Sequence, residues 1–421
     1  MTKVIEISHP TGIINGKIKL DGSKSISNRA LIIQALCKKD FKIKKLSTSD
    51  DTQILKSLLE SDDIKEYDVG HAGTSFRFLT AYLSIQKGKQ ILTGSSRMKE
   101  RPIGPLVDAL RQLGCQIDYL EKDGYPPLKI GKPKNLDKAK KVTVNAGISS
   151  QYLTALLLIA PCLPNGLELH LEGDMVSESY LNMTLAILEE FGIEYKKSTG
   201  VIKIKPQAYQ AKDYTVEADW SASSYYYGIT ALAKEANITL KGLFEESTQG
   251  DSAMVGIGRM LGIQSDWDKN NLHLSKEGAQ QSITFEYNFI NQPDLAQTIA
   301  VICAANGIEG VFSGLKTLRI KETDRIYAVD HELRKIGGTF TLHKTVDAEE
   351  YYRIGPKVKM VEGDIPVFET YKDHRMAMAF APLALLGPIR IEKPEVVSKS
   401  YPSFWEDLES LGFEIKPVAS E

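Results

Sequence analysis

Ala109-Leu110-Arg111-Gln112-Leu113-Gly114-Cys115-Gln116-Ile117 and, far along the chain, Leu408-Glu409-Ser410-Leu411-Gly412-Phe413-Glu414-Ile415 carry one signal: an amphipathic helix stops at glycine and passes straight into a strand. The signal returns in Leu188-Glu189-Glu190-Phe191-Gly192-Ile193, Met260-Leu261-Gly262-Ile263 and Leu333-Arg334-Lys335-Ile336-Gly337-Gly338. Glycine there suits a left-handed helix C-cap, where a Cβ is penalised. The marker glycines stand about 70–80 residues apart, a period that holds two helices and several strands, so each repeat reads as a small α/β module. The helix Asp51 to Glu60 can close a degenerate sixth module. Six modules imply two pseudo-threefold domains.

Working outward, Lys141 to Val144, Gly166 to Leu171 and Val201 to Ile204 alternate apolar with polar residues, as half-exposed strands do. The segment Gln151 to Ile159 is apolar nearly all round, which predicts a helix buried on every side. The expected architecture is therefore buried helices ringed by sheets. Glu217 to Tyr225 is the best candidate for a crossover between the halves, and Lys132 to Lys141, the longest polar stretch, reads as a loop.

Composition narrows the function classes. The 421 residues carry 52 basic and 54 acidic side chains, a net charge of -2, with 42% hydrophobic and 25% charged content. This is a globular composition, neither disordered nor collagen-like. The longest apolar run, Leu153 to Leu163, contains Pro161 and falls short of the about 20 residues that span a bilayer. Met1 to Pro10 reads as a strand rather than a signal peptide, so the expected address is cytoplasmic. Cys37, Cys115, Cys162 and Cys303 form no C-x-x-C pair and read as buried small hydrophobes, while the seven histidines are scattered; no metal is expected. G-x-x-x-x-G-K-[ST] is absent, and Gly256, Gly258 and Gly262 miss the dinucleotide fingerprint by one residue.

What remains is a set of short segments in which hydroxyl or glycine residues meet cations at a helix start. Gly22-Ser23-Lys24-Ser25-Ile26-Ser27-Asn28-Arg29 precedes an apolar helix Ala30 to Leu36, and His71-Ala72-Gly73-Thr74-Ser75-Phe76-Arg77 repeats the logic. In Met98-Lys99-Glu100-Arg101-Pro102 the arginine precedes a helix expected to begin at the proline. Ser149-Ser150-Gln151 opens the buried helix with hydroxyl and amide groups alone. Free N–H groups and a positive dipole at such termini favour an anion. In Arg319-Ile320-Lys321-Glu322-Thr323-Asp324-Arg325 and Lys372-Asp373-His374-Arg375, carboxylates alternate with cations, which adds acid and base roles to anion binding. Each segment alone reads as a cap or a surface ion pair. Together, in a near-neutral chain, they point to two anionic groups held between two domains.

These segments identify a resemblance. Lys99-Glu100-Arg101-Pro102-Ile103-Gly104, Asp373-His374-Arg375-Met376-Ala377 and Lys399 ahead of Tyr401-Pro402 join the others in an order similar to that of the 5-enolpyruvylshikimate-3-phosphate synthase family, over essentially the whole chain. The resemblance implies two inside-out α/β barrel-like domains, residues 20–217 and residues 1–19 with 218–421, each of three βαβαββ-type units whose buried helices aim their N-termini at the interdomain cleft. It implies a cytoplasmic monomer that needs no cofactor and moves the enolpyruvyl group of phosphoenolpyruvate to the 5-hydroxyl of shikimate 3-phosphate. By position, Lys24, Ser25, Arg29, Ser149, Ser150, Gln151, Ser177, Tyr180, Asp294, Thr317 and Lys321 would contact shikimate 3-phosphate. Lys24, Gly73, Arg101, Gln151, Arg325, Arg375 and Lys399 would bind phosphoenolpyruvate. Asp294 and Glu322 would be base and acid, with Lys24, Lys321 and His374 beside them. Domain closure would hinge near residues 19–20 and 217–219. Gly73 matches the type sensitive to glyphosate, which competes with phosphoenolpyruvate. Asp21, His71, Phe78 and Thr317 depart from the family pattern.

Two other readings make distinct demands. The sister transferase acting on UDP-N-acetylglucosamine uses a loop cysteine as an acid, whereas Cys115 follows a helix-capping glycine. A noncatalytic RNA-binding or other polyanion-binding protein needs a basic face with interleaved aromatics, whereas the sequence pI is about 6.4 and the basic motifs lack them.

Overall fold

The computed structural model describes residues 3–61, 65–136, 139–147, 149–276, 284–361 and 363–418. The chain forms two compact units, Gly22–Val216 and the pair Met1–Asp21 with Glu217–Glu421, each around its own hydrophobic core. It is an α/β protein of mixed sheets: five of four strands and one of two among the described residues.

The four-stranded sheets share one plan. In Thr284–Asn288, Glu309–Ser313, Glu350–Ile354 and Phe340–Lys344 the first two strands are parallel and the other pairings are antiparallel. A parallel pair requires a crossover, here the helix Ala296–Asn306; a second helix, Arg325–Arg334, leads into the hairpin. The plan recurs at Glu66–Asp68 with Gln90–Thr93 and at Lys141–Asn145 with Leu167–Glu172. Two sheets close only through distant chain. Val4–Ser8 pairs with both Ile389–Glu392 and Glu414–Val418, and Ile13–Lys19 pairs with Glu235–Lys241 across the whole inserted unit Gly22–Val216. The two-stranded sheet, Ile43–Lys44 with Tyr214–Thr215, is the sixth instance and has only the parallel pair.

The two helices of each plan differ for a visible reason. Crossover helices such as Ala296–Asn306 and His374–Phe380 have no continuous polar face and are buried almost throughout. The second helices are amphipathic and end at the marker glycines, whose φ values are +92° (Gly114), +78° (Gly192), +75° (Gly262), +82° (Gly337) and +92° (Gly412). The next N–H then turns back into the helix, as in Cys115 to Leu110 O at 3.1 Å and Phe413 to Leu408 O at 3.2 Å.

Several expectations shift. The crossover ends at Asp219, because residues from Trp220 onward form the helix Trp220–Leu232 and the Asp219 carboxylate caps it at Ala222 N, 3.1 Å. Its serines can be buried because Ser223 and Ser224 each donate to the carbonyl three residues back, both at 2.7 Å. The helix expected at Ala30 begins at Lys24, which puts Ser25 and Arg29 inside it. The helix after Arg101 begins at Gly104, not Pro102, with Pro105 in its first turn. Residues 132–136 are loop, Lys141 opens a strand, and residues 137–138 of the expected loop lie outside the described ones. Cys115 and Cys303 are buried, but Cys37 is half-buried and Cys162 exposed.

Candidate functional site

In the unit Gly22–Val216, cations and hydroxyls gather at helix starts. Lys24 lies in the first turn of Lys24–Leu36, 3.6 Å from the buried Asp51 carboxylate. Ser149 caps Ser150–Ile159 by accepting from Gln151 N at 3.3 Å, and Gln151 Nε2 donates to Thr74 Oγ1 at 3.2 Å. The first turns of two buried helices are thereby joined. Pro102 O accepts from the Tyr152 hydroxyl at 2.6 Å and from Arg77 at 3.1 Å, which fixes the backbone beside Arg101. Gly73 lies under the Arg101 guanidinium: a Cβ there would stand 2.9 Å from Arg101 Cζ, so the arginine would have to move. Ser177 starts the helix Glu178–Glu190 in a left-handed conformation, 5% exposed, with Tyr180 in the first turn.

Arg29 behaves differently from a surface anion ligand. It is buried and donates to Thr184 Oγ1 (2.9 Å), Ser25 O (2.7 Å), Thr154 Oγ1 (3.2 Å) and Tyr180 O (3.3 Å). Four of its five N–H groups therefore tie three helices together, leaving one for a ligand. Burial lowers its pKa to about 10, which still leaves it charged at neutral pH. Arg77 is likewise buried, bonding Gly73 O, Met98 Sδ and Pro102 O.

The other unit holds a dense ionic network. Arg325, 2% exposed at the start of Arg325–Arg334, reaches Asp373 Oδ2 (2.8 Å), Asp294 Oδ1 (2.9 Å) and Glu322 Oε2 (3.0 Å). Lys399 binds the second Glu322 oxygen at 3.0 Å, and Arg375 binds the second Asp294 oxygen at 3.0 Å. Each cation thus shares a carboxylate with its neighbour. Burial alone would lower the pKa of Arg325, but Asp373, Glu322 and Asp294 raise it further than burial lowers it. Local structure sets these positions. Asp294 sits in the single turn Pro293–Leu295, Asp324 caps Arg325–Arg334 at Ile326 N and Tyr327 N, and Asp373 caps His374–Phe380 at Arg375 N, 2.9 Å. His374 is buried with Nδ1 3.7 Å from Asp373. Thr317 lies on the turn Lys316–Ile320 and Lys321 at its end, both half-buried.

Sequence reasoning missed three members of this network. Arg375 also reaches the Tyr225 hydroxyl and Ser221 Oγ, both at 3.3 Å, and Ser221 donates to Asp251. Ser221 and Tyr225 lay in the segment read as a crossover, and Asp251 lies in a short turn that carries no motif. Asp251 is 5% exposed, and its Oδ1 has no hydrogen-bond partner among the described residues. Burial, and then the nearby Asp294, push its carboxyl up to about 7. A folded-state pKa above the unfolded one gives stability that is present at acid pH and lost as pH rises through about 7. Asp251→Asn should therefore melt near wild type at pH 4.5 but roughly 5 °C higher at pH 8, by thermal unfolding at both pH values. An equal difference at both would show that the carboxyl does not titrate in this range.

A sequence profile of EPSP synthase (3-phosphoshikimate 1-carboxyvinyltransferase) matches residues 9–61 and 55–408. A 3-phosphoshikimate 1-carboxyvinyltransferase of Bacteroides fragilis (strain YCH46) is 46% identical over 406 residues, covering 96% of this chain and 97% of its own. The protein of that name from Sulfurovum sp. (strain NBC37-1) is 38% identical over 432 residues, covering 96% and 98%. Among solved structures, an EPSP synthase from Acinetobacter baumannii is similar in fold, with a TM-score of 0.77 at 20% identity over 99% of this chain and all of that one.

Proposed function

The chain belongs to the EPSP synthase family, the 3-phosphoshikimate 1-carboxyvinyltransferases, and from that premise we propose how its residues divide the work. It transfers the enolpyruvyl group of phosphoenolpyruvate to the 5-hydroxyl of shikimate 3-phosphate, releasing phosphate, in the route to aromatic amino acids. The observation that carries the residue assignment is Arg325 held among Asp294, Glu322 and Asp373, with Arg375 and Lys399 on the far oxygens of the first two.

Phosphoenolpyruvate brings a carboxylate and a phosphate, which compete with protein carboxylates for the cations. Arg325, Arg375 and Lys399 bind them, joined by Lys24, Gly73, Arg101 and Gln151. As these ion pairs exchange, Asp294 is freed as a carboxylate base, and Glu322, no longer held ionised by Arg325 and Lys399, takes up a proton from solvent and becomes the acid. Glu322 protonates the methylene carbon, so C2 gains cationic character, and the 5-oxygen forms its bond to C2 as Asp294 takes the hydroxyl proton. The tetrahedral intermediate then returns a methyl proton to the Glu322 carboxylate as its C2–O bond breaks and phosphate leaves. Lys321 and His374 assist beside these two groups. Lys24, Ser25, Ser149, Ser150, Gln151, Ser177, Tyr180, Thr317 and Lys321 hold shikimate 3-phosphate; Arg29 contributes mainly by fixing the Ser25 and Tyr180 backbone. The units are the family's inside-out domains, and the protein works as a cytoplasmic monomer. No helix among the described residues is long and apolar enough to cross a membrane.

The test is phosphate release from phosphoenolpyruvate with shikimate 3-phosphate, with UDP-N-acetylglucosamine as control acceptor and Asp294→Ala alongside. Release that needs shikimate 3-phosphate and vanishes in the variant supports the assignment. Release with UDP-N-acetylglucosamine instead would favour the sister activity, although burial pushes the Cys115 thiol up to about 12, which suits no catalytic acid.

Glyphosate competes at the phosphoenolpyruvate positions on this reading. Gly73→Ala presses on Arg101, so the KM for phosphoenolpyruvate should rise roughly tenfold and the glyphosate Ki more steeply. Inhibition curves at fixed shikimate 3-phosphate decide it; an unchanged Ki would remove Gly73 from the site.

A further inference from the structure

Thr370–Asp373, just ahead of the helix His374–Phe380, is a tight turn closed by Asp373 N–H to Thr370 O at 2.8 Å. Both central residues are left-handed, Tyr371 at φ +53° and Lys372 at φ +58°. Such turns ordinarily use Asn and Gly, because a Cβ disfavours the conformation, so something outside the turn must hold it. The helix Arg325–Arg334 does so. Its Glu332, fully buried, accepts from the Tyr371 hydroxyl (2.7 Å), Glu369 N–H (3.0 Å) and Lys335 Nζ (2.7 Å), and Lys335 reaches on to Val367 O at 2.9 Å. Tyr327 and His331 of the same helix pack edge-to-face on the Tyr371 ring, with centroids 6.3 Å away. Two helical turns before Glu332, on the same face, Arg325 holds Asp373.

One helix therefore grips both ends of the strained segment, and Asp373 in turn caps the helix that carries Arg375. We propose that Glu332 and Tyr371 are positioning residues for phosphoenolpyruvate: they hold the left-handed turn and thereby set Asp373, Arg325 and Arg375 in register. This rests on the reading above that Arg325 and Arg375 bind that substrate. Neither Glu332 nor Tyr371 need touch it.

Tyr371→Phe removes only the hydroxyl. The KM for phosphoenolpyruvate should rise about tenfold while that for shikimate 3-phosphate changes less than about twofold. Hydrogen exchange of residues 369–376 should quicken without global destabilisation. Adding Lys372→Gly to Tyr371→Phe makes the turn permissive again, so both readouts should move back towards wild type. Unchanged exchange and KM in Tyr371→Phe, or a loss shared by both substrates that Lys372→Gly does not reverse, would overturn the proposal. A wild-type chain without shikimate 3-phosphate-dependent phosphate release would sink the catalytic reading instead, and the exchange data would still decide whether Tyr371 holds the turn.

Discussion

Arg325→Ala should lower kcat/KM for phosphoenolpyruvate by about 10³-fold or more and destabilise the fold by roughly 3–5 kcal/mol. Both effects come from one geometry. The guanidinium is buried and bonds three carboxylates, so alanine leaves Asp294, Glu322 and Asp373 facing one another across a cavity. Lys399 and Arg375 each neutralise one outer oxygen but reach only Glu322 and Asp294, which leaves Asp373 with the least compensation. Arg325→Lys separates the two effects. It keeps the charge, but one ammonium cannot reproduce a planar fork aimed at three acceptors, so most of the stability should return while turnover stays about 10²-fold down. Denaturant unfolding beside steady-state kinetics reads both. A lysine variant with normal turnover would show that only the charge matters.

Asp294→Asn should have the opposite signature, with kcat falling by about 10³-fold and the KM for phosphoenolpyruvate unchanged or lower. Asp294 lies between two guanidiniums, Arg325 Nη1 at 2.9 Å and Arg375 Nη2 at 3.0 Å. Asparagine removes the negative charge that competes with the substrate's anionic groups for those arginines. It cannot take the proton of the 5-hydroxyl. Binding and chemistry should therefore separate, whereas loss of Arg325 damages both. A parallel rise in KM with little change in kcat would make Asp294 a structural partner of the arginines rather than the base.

Much of the proposed site can be picked out in the sequence because its residues cluster in short segments at helix starts. Lys24 with Ser25, Ser149 with Gln151, and Glu322 with Arg325 are neighbours in sequence, and capping chemistry at that range is local. Direction was less legible. Arg29 and Arg77 have the same sequence setting as an anion ligand, yet their N–H groups bond mostly to protein acceptors in the folded unit. Ser221 and Tyr225 fell in the segment read as a crossover between the halves, whereas the fold puts them in a helix, with Tyr225 buried and both side chains next to Arg375.

The sequence by itself determined the repeated module, the glycine that ends each second helix, the burial of the crossover helices and the family. The first three follow from periodicity, composition and steric limits acting on short segments, and the family follows from the resemblance of motifs in their order along the whole chain. Only the tertiary structure decided which charge meets which. Arg375 joins Tyr225 across 150 positions, Arg325 joins Asp373 across 48, and Glu332 meets Tyr371 across 39. The physical reason is that an ion pair depends on distance and desolvation, both of which are set when helices far apart in sequence pack into one core.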